Sequence, residues 1–169
     1  MMLHILQCIK KYWFKLNYRK LFSAHKIIRD LSLVQFIAYF GAWFSNVAIY
    51  TMLVDFGSSE MAISVVTAMH FLPAILIAPF SGAIIDRVKI KPLMITLLAT
   101  ELLMTILFLT IDNKNDLWLL MILIFVRMSA ASMFFSTEMS LLAKLLRGKP
   151  LQMANEIHSI IWSFTYAAG

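Results

Sequence analysis

Apolar positions dominate the chain in long uninterrupted runs, each closed by a charge or a turn. Leu31 to Val54 lies between Asp30 and Asp55, and Met61 to Ile85 lies between Glu60 and Asp86. Pro92 to Ile111 is broken only by Glu101, and Leu117 to Ala143 carries Arg127 and Glu138. A helix needs ~20 apolar residues to cross ~30 Å of hydrocarbon. These four runs therefore predict four membrane spans, 31–54, 61–85, 92–111 and 117–143. A further apolar stretch starts near Leu151 and continues to Gly169. The connections DFGSSE, DRVKIK, DNKND and KLLRGKP are short. Short connections make neighbouring helices antiparallel. The pattern predicts an all-α integral membrane protein built as an antiparallel helix bundle.

The fifth stretch is shorter than a span. Ile157 to Gly169 covers only ~20 Å as a helix. A chain end in hydrocarbon leaves polar backbone unsatisfied. The expectation is that 144–169 is a loop and a truncated fifth span, so that the chain is a piece of a longer protein.

Composition agrees with this reading. Hydrophobic residues make up 61% and charged residues 14%, against ~45–50% and ~25% in ordinary soluble domains. One small soluble core cannot hide that surplus. Disorder is excluded on the same ground. Cys8 is the only cysteine, which excludes a disulfide scaffold. No cysteine–histidine cluster with metal spacing occurs, and nothing in the sequence calls for a cofactor.

The net charge of +6 acquires meaning only from its placement. Of fifteen Lys and Arg, seven lie in 1–30, three in 86–91 and three in 144–150. The 55–60 connection has none, and 112–116 has Lys114 alone. Basic loops face the cytoplasm. The N-terminus and the 86–91 and 144–150 loops are thus expected inside, in a multi-pass protein of the cytoplasmic membrane. The basic residues address the lipid bilayer rather than nucleic acid. Within 1–30, Leu6, Ile9, Trp13 and Leu16 keep helical spacing among lysines, which predicts a basic amphipathic helix on the inner leaflet.

Polar residues inside the spans mark candidate chemistry. Gln35, Tyr39, Ala42, Asn46 and Tyr50 share one face of span 1. Such a face looks into protein or into a water-filled cavity. His70 in span 2 is a candidate member of the same lining. Ala38, Gly41, Ser45 and Ala48, and in span 2 Ala74, Ala78 and Gly82, form small-residue rows suited to close helix packing. Pro73 and Pro79 each remove a backbone hydrogen bond from span 2. Glu101 and Arg127 both fall ~15 Å into adjacent antiparallel spans. A charge there costs ~2.5–3.5 kcal/mol on the lenient insertion scale, so the expectation is an ion pair, direct or through water. Glu138 lies on the Arg127 face but ~16 Å nearer the cytoplasm. There it is either solvated or paired with the loop carrying Arg87 and Lys89.

Gly82-Ala-Ile-Ile-Asp86-Arg87-Val-Lys89-Ile-Lys91 resembles the G-x-x-x-D-R loop of major facilitator superfamily transporters, and it stands between the second and third spans as it does there. Lys89 replaces the second glycine of the full motif, and Ile90 takes a basic position. The Gln35–Phe44 stretch, the Pro73/Pro79 pair, Arg127 and Ala154-Asn155 resemble the branch of macrolide-efflux and enterobactin-exporter-like proteins. Many of those carry an acid where this chain has Ala42. The resemblance implies a partial major facilitator fold, with a C-terminal transporter half missing from this chain. It implies spans 1, 2 and 4 along the path, span 3 at the periphery, and a conformational gate at Gly82, Asp86, Arg87, Lys89 and Lys91. It also implies export of a drug-like or siderophore-like small molecule by alternating access, with proton coupling. The alternative is a truncated, non-transporting remnant or a membrane scaffold. A small four-span multidrug exporter needs an acid in span 1, which is uncharged here. No hydrolase, metalloprotease or phosphate-loop motif supports an enzyme.

Overall fold

The computed structural model describes residues 18–168. The expected interfacial helix over Leu6–Leu16 lies outside them. Among the described residues six helices follow in order: α1 (Tyr18–Ala24), α2 (Lys26–Asp55), α3 (Glu60–Arg87), α4 (Ile90–Leu107), α5 (Leu117–Leu145) and α6 (Lys149–Ala168). Short 3-10 turns at Phe108–Thr110 and Lys114–Asp116 link α4 to α5. The described residues contain no strand. Helices α2 to α5, α4 together with the 3-10 turn that follows it, match the four apolar runs and are long and apolar enough to cross a membrane.

Helix boundaries follow local chemistry. Ser59 caps α3, its Oγ accepting from the Ala62 N–H at 3.3 Å. Glu60 opens that helix and Arg87 closes it, the signs that suit its dipole. Val88 turns to extended backbone and ends it. Pro92 falls in the first turn of α4 and Pro150 in that of α6, where a missing N–H costs nothing. Pro73 and Pro79 lie inside α3, which continues through both. Gly57 and Gly148 have φ of 58° and 60°, a left-handed conformation that costs other residues ~1–2 kcal/mol. Gly148→Ala is expected to lower stability by about 1 kcal/mol. No clash contributes, because nothing lies within 4 Å of an added Cβ. Denaturant unfolding of the variant in mixed micelles checks this.

The chain divides into two groups of contacts. Among the described residues, 42–145 form one, and 18–41 with 146–168 form the other. In the first, α5 packs against both α3 and α4. Its buried positions Leu120, Leu123, Ile124, Arg127, Ala130, Phe134, Thr137 and Glu138 recur at helical spacing. They form one face. Of its most apolar stretch 39% is buried, against 6% for α4; α5 is the hub and α4 the periphery. Ile49 and Leu53 of α2, Val66 of α3, Ile111, and Leu120, Leu123 and Ile124 of α5 close a continuous core. Lys114 Nζ donates to the Gly57 carbonyl at 3.2 Å, tying together the two connections opposite the basic side. Outward positions stay apolar, as at Ile37, Ile75 and Leu109, because lipid rather than water surrounds them.

In the second group, α6 packs on the first half of α2. Phe36 stacks on Phe164 at 6.0 Å between ring centroids. Helix α6 is amphipathic, unlike the four spans. Gln152, Asn155, Ser159 and Ser163 are exposed, while Met153, Ala154, His158 and Thr165 are buried.

The small-residue rows depart from expectation. Ala74, Ala78 and Gly82 are all exposed, and no atom approaches within 4 Å of a Cβ placed at Gly41 or Gly82. Helix α3 buries a different set, Val66, His70, Pro73 and Ile85. The bulkier face carries the contacts and leaves the small one open.

Candidate functional site

Arg127 stands at the centre of the α5 face and is 2% exposed. Its Nη2 donates to the Ala42 carbonyl at 2.9 Å. Its Nη1 donates to Asn46 Oδ1 at 3.3 Å. Ala42 and Asn46 are one helical turn apart, so the guanidinium fork spans a single turn of α2. The cation also lies 5.6 Å from the ring centroid of Phe108, within reach of a cation–π attraction.

Asn46 serves a second group. His70 Nε2 meets the same Oδ1 at 3.2 Å, and His70 Nδ1 meets the Val66 carbonyl at 3.0 Å. The imidazole stacks on Tyr50, 5.8 Å between centroids. Thr67 gives its hydroxyl proton to the Ile63 carbonyl. Tyr50 therefore donates to Thr67 Oγ1, at 3.1 Å. Helices α2, α3 and α5 thus meet in one polar node inside the apolar core.

The other half of the span 1 face is engaged by α6. Gln35 is 2% exposed, and its Nε2 bonds His158 Nδ1. Tyr39 meets the same imidazole edge-on at 5.9 Å. Gln35 and Tyr39 repeat the spacing of Asn46 and Tyr50, eleven residues or about three turns earlier.

One electrostatic expectation narrows and one changes. Glu101 and Arg127 form no direct ion pair within 4.0 Å, whereas Arg29–Asp30 and Asp86–Lys144 do. Arg127 spends its fork on α2 instead, and Glu101, half-buried on α4, acts on it only across a gap. Glu138 is fully buried rather than solvated at a membrane edge. Its helical phase puts it with Arg127 on the packed face of α5, and that packing reaches further along the helix than the depth arithmetic allowed.

At the basic side, Asp86 Oδ1 accepts from Lys144 Nζ at 3.3 Å. Both side chains are largely exposed. Such a pair contributes ~0–1 kcal/mol. Gly82, Arg87, Lys89 and Lys91 are exposed around it. The loop motif thus closes on the end of α5 by a contact weak enough to break.

Beside α1 and α6 lies a cavity of about 760 Å³, lined in part by Tyr18, Gln152, Asn155, Glu156 and Ser159. Tyr18 donates to Glu156 Oε2 at 2.9 Å, and Gln152 Nε2 to Glu156 Oε1 at 3.1 Å. Burial, then the bond to Glu156 and the carboxylate charge, raise the Tyr18 phenol above its ordinary 10.0. A raised folded value means the phenol favours the folded state below pH ~10 and loses that contribution as pH climbs through the folded value. Tyr18→Phe is expected to remove this alkaline loss, read as helix content against pH.

Sequence reasoning missed Lys144, Thr67, Phe108 and His158. Lys144 was accessible, since it ends span 4 on the same side as Asp86. The others depend on helix rotation.

The family model for the Major Facilitator Superfamily matches residues 31–169. No curated protein and no solved structure matches the chain. The matched region takes in all four spans, the Asp86 loop and the Arg127 node. The chain belongs to the Major Facilitator Superfamily of membrane transporters.

Proposed function

We propose that the chain supplies the N-terminal helices of a secondary active exporter for drug-like or siderophore-like small molecules. Alternating access moves the substrate and a proton gradient drives it. The supporting observation is the node of Arg127, Asn46 and His70, a buried cation held within the membrane core by neutral partners. A structural charge is cheapest when neutralised by a carboxylate within hydrogen-bond reach. Arg127 keeps its charge available instead, which suits an anionic group on a substrate. The Asp86–Lys144 contact suits the gate, because a latch worth ~0–1 kcal/mol opens and closes without trapping either state. The open row Ala74, Ala78 and Gly82 suits docking of a second transporter half. The charge asymmetry of the connections supports a cytoplasmic N-terminus in the cytoplasmic membrane.

The test starts from an epitope at the N-terminus, introduced at the native locus. A membrane product well above 19.4 kDa fits a chain completed by a second half. Cells carrying it are expected to accumulate less of a fluorescent macrolide or catecholate siderophore, and to lose the difference with Arg127→Ala or when a protonophore collapses the gradient. A stable product near 19.4 kDa with no efflux favours the non-transporting scaffold.

A further inference from the structure

Both ring nitrogens of His70 face oxygen acceptors: the Val66 carbonyl at 3.0 Å and Asn46 Oδ1 at 3.2 Å. A neutral imidazole has one N–H and satisfies one of them; an imidazolium satisfies both. Asn46 can offer His70 its amide nitrogen only by taking Oδ1 away from Arg127 Nη1, which donates to it. A guanidinium has donors only. One amide oxygen therefore ties the proton count of His70 to the hold on Arg127.

We propose that the Asn46 carboxamide is a relay: a protonated His70 keeps its oxygen turned to Arg127, and a neutral His70 turns it away and frees the Arg127 fork for an anionic group of the transported molecule. In the protonated state Oδ1 accepts from both His70 Nε2 and Arg127 Nη1. When the Nε2 proton leaves, Nδ1 keeps its N–H on Val66. The carboxamide turns, and Asn46 Nδ2 donates to the bare Nε2. Arg127 retains the Ala42 carbonyl and loses its second partner. The Nε2–H bond breaks, its electron pair stays on the nitrogen and its proton passes to water; no other covalent bond changes.

The groups facing His70 are few. From α2 come Asn46 and the stacked Tyr50 ring. From α5 comes Arg127, whose charge repels the imidazolium. Glu101 of α4 acts on Arg127. His70 and Asn46 are positioning residues for Arg127, which makes the anion contact. The inference deepens the transport reading and rests on it for the identity of the anion.

The experiment uses the full chain in lipid nanodiscs, labelled with 15N at histidine and arginine side chains. Signals are assigned with His70→Gln and Arg127→Lys. Between about pH 5 and 8, the wild-type Arg127 guanidinium signal is expected to titrate with the midpoint of His70. His70→Gln and Asn46→Leu should each make it pH-independent. Benzenesulfonate, anionic throughout, is expected to bind about tenfold more tightly at the upper pH, the loss of one charged hydrogen bond's competition. An Arg127 signal that ignores the titration of His70 overturns the relay. So does a His70 that does not titrate, or an affinity that falls with pH, the sign direct attraction to the imidazolium would give. The wild-type titration decides the matter without any variant. It reads no transport, so the relay can fail while the transporter reading stands.

Discussion

Replacing Arg127 with leucine is expected to move two measurements in opposite directions. On the insertion scale, arginine at a helix centre costs ~2.5–3.5 kcal/mol and leucine gains ~0.3–0.6. Isolated α5 should therefore insert better by about 3 kcal/mol, seen by glycosylation mapping of the segment. Folding within the membrane should weaken. The variant loses charged hydrogen bonds to Ala42 and Asn46, each worth ~1.5–3 kcal/mol, and the contact with Phe108. The groups left behind soften the loss: Asn46 Oδ1 still faces His70, and the Ala42 carbonyl sits in a helix. A drop of about 2 kcal/mol or more in reversible unfolding is expected. Arg127→Lys keeps the charge, but an ammonium cannot match the planar fork across one turn, so it should recover only part. Unchanged stability in the leucine variant would show that the node is incidental to packing.

Leu120→Ala carries the second large expected effect. Leu120 has no exposed surface and sits in the core with Ile49, Leu53, Val66 and Ile124. In soluble proteins this truncation costs ~2–5 kcal/mol, part transfer and part cavity. In lipid the transfer part shrinks, because the surroundings are as apolar as the core. The cavity part remains, which sets the expectation at about 2 kcal/mol. Leu109→Ala is the contrast. That side chain is 82% exposed and should change stability by less than ~0.5 kcal/mol. In a double-mutant cycle, Leu53→Ala and Leu120→Ala should fail to add, by at least ~0.5 kcal/mol, since both open the same space.

The spans were legible in the sequence because lipid imposes one simple requirement on each, an apolar run of fixed length. Burial of Arg127 was legible for a related reason: a charge far from either end of an apolar run calls for protein around it, and Arg127 lies among the buried positions of α5. Rotation about the helix axis was not. Glu101 and Arg127 belong to neighbouring helices, yet the guanidinium turns to α2. Depth counts residues, while direction depends on which faces pack. The span 1 pattern showed that Gln35, Tyr39, Asn46 and Tyr50 share a face, and each meets a partner on another helix. The partners His158 and Thr67 carry no sequence mark that separates them from other residues of their helices. Small residues misled for a related reason. A row such as Ala74, Ala78 and Gly82 permits close approach without demanding it, so composition alone could not say which face of α3 is filled.

The contact between α2 and α6 also sets a timetable. Gln35 and His158 are 123 positions apart, with three long helices made between them. At ~5–20 residues per second, ribosomal synthesis leaves an interval on the order of 10 s between the two. Throughout it, the Gln35 and Tyr39 surface of α2 has no histidine to clasp. Helix α6 is not among the four helices long and apolar enough to cross a membrane, and its contact with that surface waits on its own synthesis. Slowed translation would lengthen that interval and delay the closing of this contact in proportion.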